Sequence, residues 1–295
     1  MSTTARVLAQ AKINLLLRVL ARETSGYHSI ETVFLRLDLA DSVAVRVTGS
    51  GRTIDCAGPS IPAAGLGPAE RNLAYRAADA YADATGWPNG FAIEVEKRIP
   101  VGAGLGGGSA DAGAVLRALD CLSPNPLGHR LTELAGPFGA DVPFMTIDSP
   151  MALAWGRGDR LFPIPVLAPR PVLLAVPQFA VSTADAYGWL AGSRTDRPVG
   201  AALIAPDSLA TWEGMAGVAT NDFDAVISAR FHIVRTITDA LVAQDAEIVM
   251  LSGSGSTVFG VFSTSPAVER MERIGDTEWI ETRTAERVVR VEPDR

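Results

Sequence analysis

The first part of the chain alternates between apolar and polar side chains in the manner of a half-buried β-strand. Over residues 7–19 the odd positions are apolar, and most even positions carry a polar group. Because the side chains of a strand point alternately to its two faces, this period of two predicts a strand with one buried face. The other face would carry Leu8, Gln10, Lys12, Asn14, Leu16 and Arg18. Lys12 and Asn14 therefore point the same way, about 7 Å apart at the rise of an extended chain.

Strand and helix patterns follow one another along the rest of the chain without a strict βαβ order. Further strands are predicted over residues 32–39, 42–47, 91–100, 171–177, 247–250, 257–262 and 287–293. Helices are predicted over residues 72–86, 109–122, 130–135, 183–190, 222–244 and 266–274. Asp41 suits a tight turn between the second and third strands, and residues 49–70 and 192–210 are predicted to be loops. This mixture favours an α+β fold over a doubly wound parallel sheet.

A proline-rich segment suggests where the chain divides. Five of the 19 prolines fall within residues 163–177, directly before or within a predicted strand. Such a segment is typical of a crossing between domains. We therefore expect an N-terminal lobe at residues 1–162 and a C-terminal lobe at residues 163–295.

Composition narrows the functional classes. The apolar fraction of 47% and the charged fraction of 20% are those of a globular protein, and no apolar run reaches the roughly 18 residues of a membrane span. The net charge of −7 argues against nonspecific nucleic-acid binding. Two cysteines make no disulfide framework, so we expect a cytoplasmic protein. The three histidines are far apart, which argues against a structural zinc site.

The strongest chemical signal is the glycine-rich stretch "PVGAGLGGGSADAG". It lies between a predicted strand and a predicted helix, so it is poorly explained as a flexible linker. Glycine lets the backbone approach a ligand closely, and successive N–H groups can form an anion-binding nest. The positive end of the helix dipole adds to the same place. This arrangement predicts a phosphate cradle.

The loop alone does not decide which type of phosphate cradle this is. No Gly-Lys-Ser/Thr closes it, which excludes a Walker A loop. Residues 102–107 match G-x-G-x-x-G, but the polar lead-in "KRIP" and the lack of an acidic residue about 20 positions on weaken a dinucleotide-binding interpretation. The H-R-D motif of protein kinases is also absent.

Five segments in order resemble the GHMP kinase superfamily. They are "AKINLLLRV", "GYHSIETVF", "PVGAGLGGGSADA", "GADVPF" and "SGSGSTVFG", and they run from residue 11 to residue 260. The first, second and fourth are most similar to those members of the superfamily that phosphorylate a cytidine diphosphate sugar alcohol in isoprenoid precursor synthesis. The resemblance implies a two-lobed α+β fold, with an N-terminal lobe like ribosomal protein S5 and a C-terminal ferredoxin-like lobe. It also implies ATP as co-substrate, with Mg²⁺, and an acceptor alcohol between the lobes.

The resemblance implies roles for particular residues. Lys12 would lie at the acceptor hydroxyl, Asn14 would contact the substrate, and Asp141 would take the proton of the attacking hydroxyl. Without it, Lys12 and Asn14 would be solvent-facing strand residues, and Asp141 a turn or cap residue before a proline. The ATP-binding loop would comprise Pro100, Val101, Gly102, Ala103, Gly104, Leu105, Gly106, Gly107, Gly108, Ser109 and Ala110.

Aromatic residues and a second glycine turn complete the expected site. The resemblance implies that Tyr27 stacks on the cytosine ring, that His28 hydrogen-bonds its edge, and that Tyr187 covers its opposite face. Gly253 and Gly255 would close on the phosphates from the C-terminal lobe, although a tight hairpin explains them as well. No metal ligand and no oligomeric state follow from the sequence.

The sequence therefore predicts an ATP-dependent kinase whose partners are small molecules, with neither nucleic acid nor membrane among them. Another GHMP kinase, acting on homoserine, mevalonate or a sugar, is one alternative. A Rossmann-type dehydrogenase and a nucleotide-binding module without catalysis are the other two.

Overall fold

The computed structural model describes residues 3–22, 28–193, 204–271 and 274–294. The strands are β1 (Thr4–Arg22), β2 (His28–Thr48), β3 (Arg52–Ala57), β4 (Gly90–Glu96), β5 (Met151–Gly156), β6 (Arg160–Pro163), β7 (Pro171–Val176), β8 (Thr220–Asn221), β9 (Ile248–Leu251), β10 (Val258–Val261), β11 (Glu278–Arg283) and β12 (Glu292–Pro293). The helices are α1 (Leu73–Thr85), α2 (Gly107–Leu122), α3 (Arg130–Ala135), α4 (Val142–Thr146), α5 (Thr183–Ser193), α6 (Trp212–Val218), α7 (Asp224–Ser228) and α8 (His232–Val242). None of the described helices has the length and apolar character needed to cross a membrane.

Two long antiparallel strands, β1 and β2, form the centre of the larger sheet. Its main strand order is β12-β1-β2-β4-β3. Strand β5 pairs with β2 on one side and with β6 on the other, and the short β8 pairs parallel to β1. The first part of β2 pairs with β5 and its last part with β4, so one strand holds two branches of the sheet. The pairing of β1 with β2 shifts register at three places, one of them between Gln10 and Lys12. Such bulges re-aim side chains.

The predicted turn at Asp41 is wrong, because the chain runs through it as part of β2. Asp41 is fully buried and pairs with the ammonium of Lys97, which also donates to Asp111 over 2.6 Å. Its other oxygen accepts the N–H groups of Arg98 and Ile99. Burial opposes the charge of Lys97, but the two carboxylates more than offset this and raise its pKa. Burial raises the pKa of Asp111 to about 7. A buried cation thus lets a polar residue continue the strand.

Helices α1 and α2 cover one face of the larger sheet, as their apolar periodicity predicts. The side chain of Asn72 caps α1 by accepting the N–H of Ala74, and Gly86 ends that helix in the left-handed conformation. Helix α2 is buried along most of its length and begins two residues earlier than predicted. The predicted helix over residues 130–135 is confirmed in α3.

The smaller sheet is antiparallel, with the order β11-β7-β10-β9. Alternate residues of β7 point to different cores: Val172 and Leu174 join the core of the larger sheet, whereas Leu173 and Ala175 pack with α5, α7 and α8. Burial on both faces explains why β7 has an uninterrupted apolar sequence. The α+β class is confirmed, and the described sheets lack the doubly wound parallel order of a Rossmann dehydrogenase.

Several predicted elements differ in the structure. The single helix over residues 222–244 is two helices, α7 and α8, because Phe231 leaves the helical path and stacks on Phe179 with ring centroids 4.1 Å apart. Within the described part of residues 266–274 there is one 3₁₀ turn, Val268–Arg270. Only Glu292–Pro293 of the predicted last strand pairs, and β3 lies inside the predicted loop at 49–70. Strands β5, β6, β8 and β11 and helices α4 and α6 were not predicted.

A candidate phosphoryl-transfer site

A cavity of about 280 Å³ opens where β1, the start of α2 and the turn after β9 meet. Its lining residues are Lys12, Asn14, Leu17, Ile30, Gly104, Gly106, Ser109, Ala140, Asp141, Thr183, Tyr187, Phe223, Gly253 and Ser254. Segments that are far apart in sequence therefore converge here, and each of the five segments that contain the predicted motifs contributes at least one lining residue.

Lys12 is the buried cation of this cavity. Its side chain is 3% exposed, and its ammonium donates to the Asn14 side-chain oxygen over 2.8 Å and to the Gly104 carbonyl over 3.0 Å. The bulge in β1 leaves the backbone N–H of Lys12 free to donate to Leu105 O over 3.0 Å. Strand β1 and the glycine loop are thus joined through both the backbone and the side chain of one residue.

Asn14 connects the same ammonium to the C-terminal half of the chain. Its side-chain oxygen accepts both Lys12 and the N–H of Gly253, the latter over 3.0 Å, while its amide nitrogen donates to Thr32 Oγ1 over 2.8 Å. The Thr32 hydroxyl donates in turn to Leu16 O over 2.6 Å. Because every polar atom of this buried amide has a partner, its orientation is fixed.

Asp141 lies at the start of α4, but its side chain makes no capping hydrogen bond there. One carboxylate oxygen lies 3.4 Å from Lys12 Nζ instead, and the side chain is 27% exposed to the cavity and solvent. The carboxylate of Asp141 thus faces the cavity beside a buried cation instead of capping the helix.

The glycine loop passes directly over the turn after β9. Gly104 has φ +83°, and a Cβ there would overlap the carbonyl oxygen of Ser252. Only glycine allows this approach. Ser252 Oγ donates to Gly104 O over 2.9 Å, and the N–H of Thr257 donates to Ala103 O. The loop therefore contacts the second glycine turn at Ala103 and Gly104.

The loop ends at the N-terminus of α2, where an anion would be bound. Gly106 precedes the helix with φ +72°. The first hydrogen bond of the helix runs from the N–H of Ala110 to the carbonyl oxygen of Gly106. By helix geometry the N–H groups of Gly107, Gly108 and Ser109 have no acceptor within the helix. They add to the positive dipole end at the edge of the cavity, since Gly106 and Ser109 line it.

An aromatic group closes the other end of the cavity. His28 and Tyr187 stack with ring centroids 4.4 Å apart, and Phe223 meets Tyr187 edge to face. Burial, together with the negative charge of Asp141, raises the pKa of Tyr187 to about 12, so its phenol stays protonated at neutral pH. Tyr27, the third predicted aromatic residue, lies outside the described residues.

Not every predicted residue lines this cavity. Pro100 and Val101 line a different cavity of about 410 Å³, and Gly255 contacts the glycine loop. The other predicted residues that are not among the lining residues are His28, Gly102, Ala103, Leu105, Gly107, Gly108 and Ala110. Thr32, Ser252 and Phe223 were missed by sequence reasoning, although the hydroxyls of "LSGSGS" offered a signal. Within the described residues no three His, Cys, Asp or Glu side chains cluster to hold a metal.

Comparison with known proteins identifies the family. A sequence profile described as the GHMP kinases N terminal domain matches residues 72–148, which include the glycine loop. The chain is 39% identical over 265 residues to a 4-diphosphocytidyl-2-C-methyl-D-erythritol kinase of Salinibacter ruber, covering 88% of this chain and 90% of that one. A kinase of the same name from Deinococcus radiodurans is 40% identical, over 86% of this chain and 82% of its own.

Solved structures agree with this assignment. A crystal structure of 4-(cytidine 5'-diphospho)-2C-methyl-D-erythritol kinase matches with a TM-score of 0.76 and 34% identity, over 95% of this chain and 99% of that one. A homoserine kinase from Cytophaga hutchinsonii, with a TM-score of 0.65, 18% identity and coverage of 99% and 98%, shares the fold alone. The chain therefore belongs to the 4-diphosphocytidyl-2-C-methyl-D-erythritol kinase family of the GHMP kinases.

Proposed function

We propose that this protein transfers the γ-phosphoryl group of ATP to the 2-hydroxyl of 4-diphosphocytidyl-2-C-methyl-D-erythritol, in the non-mevalonate isoprenoid pathway. The observation that carries the proposal is the convergence of Lys12, Asp141 and the glycine loop on one cavity. A cation, a carboxylate and an anion cradle within one space are what phosphoryl transfer between a nucleotide and an alcohol requires.

The donor is proposed to lie along the glycine loop. Its phosphates would accept N–H groups from the loop and from the first turn of α2, with the turn around Gly253 opposite them. The close packing of Gly104 on Ser252 holds these two phosphate-facing segments together before the ligand arrives. Such preorganisation lowers the entropic cost of aligning the γ-phosphoryl group.

Lys12 and Asp141 are proposed to act on the acceptor hydroxyl. As the oxygen–phosphorus bond forms and the bond to the ADP leaving group breaks, the hydroxyl proton passes to the Asp141 carboxylate. The ammonium of Lys12 stabilises negative charge on the transferring group and orients that carboxylate from 3.4 Å. Because Lys12 is already held by Asn14 and Gly104 O, it needs little rearrangement to do so.

Mg²⁺ is proposed as the metal that accompanies ATP. The lining residues with a side-chain oxygen are Asn14, Ser109, Asp141, Thr183, Tyr187 and Ser254, and Asp141 is the one carboxylate among the lining residues described. This set fits a hard cation that would take most of its ligands from phosphates and water, with Ser109 as a protein donor, because Asp141 is the proposed base for the acceptor hydroxyl. When bound, Mg²⁺ neutralises charge on the phosphate oxygens.

The cytidine group of the acceptor is proposed to lie against Tyr187, with His28 at the edge of the base and Tyr27 nearby. In the structure His28 occupies one face of the Tyr187 ring, at a centroid distance of 4.4 Å, which leaves no space for a base between them. Stacking of cytosine on that face would therefore displace His28 towards the edge of the base, where its ring nitrogens could hydrogen-bond.

We also propose that the lobes divide near residue 163 and that the protein works in the cytoplasm. The larger sheet takes most of its strands from before that residue, while β8 and β12 return to it from the second half. The unpaired state of both Cys56 and Cys121 fits a reducing compartment.

A coupled assay of ADP release tests the proposed activity. The purified protein with ATP and Mg²⁺ is given the cytidyl substrate, homoserine, mevalonate or galactose in parallel. We expect turnover with the cytidyl substrate alone. Turnover of another alcohol in its place would assign the protein to a different GHMP kinase activity, and no turnover of any alcohol would favour a binding module.

A further inference from the structure

Asn221 lies behind the second glycine turn without lining the cavity itself. It is 4% exposed and sits in β8, where it pairs with Leu17 of β1. Its amide nitrogen donates to Leu251 O and to Gly253 O, each over 2.8 Å. Its oxygen accepts the N–H of Phe223 over 3.0 Å. One buried amide therefore uses both donors and its acceptor on the backbone.

The donor side of Asn221 leads to the catalytic cation. By holding the carbonyl of Gly253, Asn221 fixes the orientation of that turn, and the N–H of Gly253 then meets the Asn14 side-chain oxygen over 3.0 Å. The same oxygen accepts the ammonium of Lys12. Three successive hydrogen bonds thus connect Asn221 to Lys12.

The acceptor side of Asn221 leads to the aromatic group. Phe223, whose N–H it accepts, lines the cavity and meets Tyr187 edge to face at 5.0 Å between centroids. The residue thus contacts the backbone of two of the three segments that line the cavity from the C-terminal half of the chain.

We propose that Asn221 is a positioning residue for phosphoryl transfer, which sets the Gly253 turn against Asn14 and Lys12. The proposal rests on the proposed function for its kinetic readout. Asn221→Asp is the sharpest test because a carboxylate keeps the acceptor for Phe223 N–H but has no N–H groups for Leu251 O and Gly253 O. It also brings negative charge towards two carbonyl oxygens, so the turn would be pushed away from its place.

The kinetic expectation follows from the distance that the turn would move. Misplacement of a reacting group by about 1 Å costs on the order of 100-fold in rate, so we expect kcat to fall about 10- to 100-fold. The KM for ATP should change less than kcat, because none of the hydrogen bonds of Asn221 goes to the glycine loop or to the start of α2. The matched control is Asp224→Asn, the reverse exchange in the same segment, which keeps its acceptor for Leu251 N. It should leave kcat within about threefold of the unchanged protein.

A spectroscopic readout separates positioning from general destabilisation. Lys12 and Lys97 are the only lysines in the sequence, so ¹³C-lysine labelling gives two side-chain signals, which Lys12→Arg assigns. Asn221→Asp should shift the Lys12 signal and leave that of Lys97 in place. If Asn221→Asp does not fold, Asn221→Ser, which retains one donor, takes its place with a smaller expected shift.

The outcomes are distinct. A folded Asn221 variant with turnover within about threefold of the unchanged protein overturns the proposal, and so does slow turnover with an unmoved Lys12 signal. Slow turnover with a selective Lys12 shift supports it. If the unchanged protein fails to phosphorylate the cytidyl substrate, the proposed function fails, while the lysine signals still decide whether Asn221 positions Lys12.

Discussion

The ammonium of Lys12 lies 3.4 Å from the carboxylate of Asp141, and both side chains line the cavity beneath the glycine loop. The lysine comes from the first strand and the aspartate from the start of a short helix, so only folding brings them together. The lysine is buried and the aspartate remains open to the cavity. This asymmetry leaves the carboxylate accessible from the cavity.

Asp141→Asn should keep ATP affinity and lose turnover. An amide of the same shape cannot accept the hydroxyl proton, and general-base catalysis contributes about 10²- to 10⁴-fold. Stopped-flow or steady-state ADP release measures the rate, and titration with a fluorescent ATP analogue measures the affinity. Asp239→Asn, an exposed exchange on α8, is the control. Near-normal turnover in Asp141→Asn would remove that residue from its proposed role.

The lysine signals should also report the Lys12–Asp141 pair directly. Because the sequence has two lysines, Asp141→Asn should move the Lys12 side-chain signal and leave that of Lys97, whose partners are Asp41 and Asp111, unchanged. ¹³C-lysine spectra of both proteins across neutral pH make the comparison. Equal shifts of the two signals would contradict a local contact between Lys12 and Asp141.

Gly104→Ala should destabilise the protein more than Gly102→Ala. Both glycines have positive φ, +83° and +74°, so each alanine incurs a similar backbone cost of about 1 kcal/mol. At Gly102 the added Cβ meets open space, whereas at Gly104 it overlaps Ser252 O. Urea unfolding with and without an ATP analogue measures both effects. Equal losses at the two positions would show that the close approach of the two turns does not matter.

Tyr187→Ala should raise the KM for the cytidyl substrate by about 10-fold or more, since loss of a base-stacking ring costs about 1–3 kcal/mol. Tyr187→Phe keeps the ring, and the phenol is protonated in any case because its pKa is raised to about 12. Tyr187→Phe should therefore behave like the unchanged protein. The KM for ATP is the internal control, and a change in it equal to that for the acceptor would argue against a role in cytidine binding.

Asp224→Asn should stabilise the protein at alkaline pH. Burial raises the pKa of Asp224 to about 7, although the N–H of Leu251 lowers it and Asp222 raises it further. Because the pKa of Asp224 is higher in the folded than in the unfolded protein, the protonated carboxyl contributes to stability. That contribution is complete below about pH 4 and is lost as the pH rises through about 7. Asparagine does not titrate there and keeps the acceptor for Leu251. The advantage of Asp224→Asn in the free energy of unfolding should grow to about 2–4 kcal/mol by pH 8.

Denaturant unfolding from acid to alkaline pH gives this difference directly. A difference that does not change with pH would mean that Asp224 has the same pKa in the folded and unfolded protein. Asp239→Asn, at an exposed position of α8, should show no such growth.

Local patterns predicted those parts of the protein that neighbouring residues decide. The period of two in β1 puts Lys12 and Asn14 on one face, and their side chains meet over 2.8 Å. Asn72 and Gly86 mark the ends of α1, and the glycine run marks the start of α2, because caps and left-handed turns are set by a few adjacent residues. The family resemblance followed from such segments as well.

Tertiary structure decided whatever depends on partners distant in the chain. Asp41 looks like a turn residue until Lys97 neutralises it inside the sheet, and the amphipathic pattern over residues 222–244 gives no sign that Phe231 leaves the helix for Phe179. The donor contacts of Asn221 have no local signature, since its amide donates to the carbonyls of Leu251 and Gly253, 30 and 32 residues away. Local periodicity reports which face of an element is apolar, whereas burial and long-range hydrogen bonds determine what that face meets.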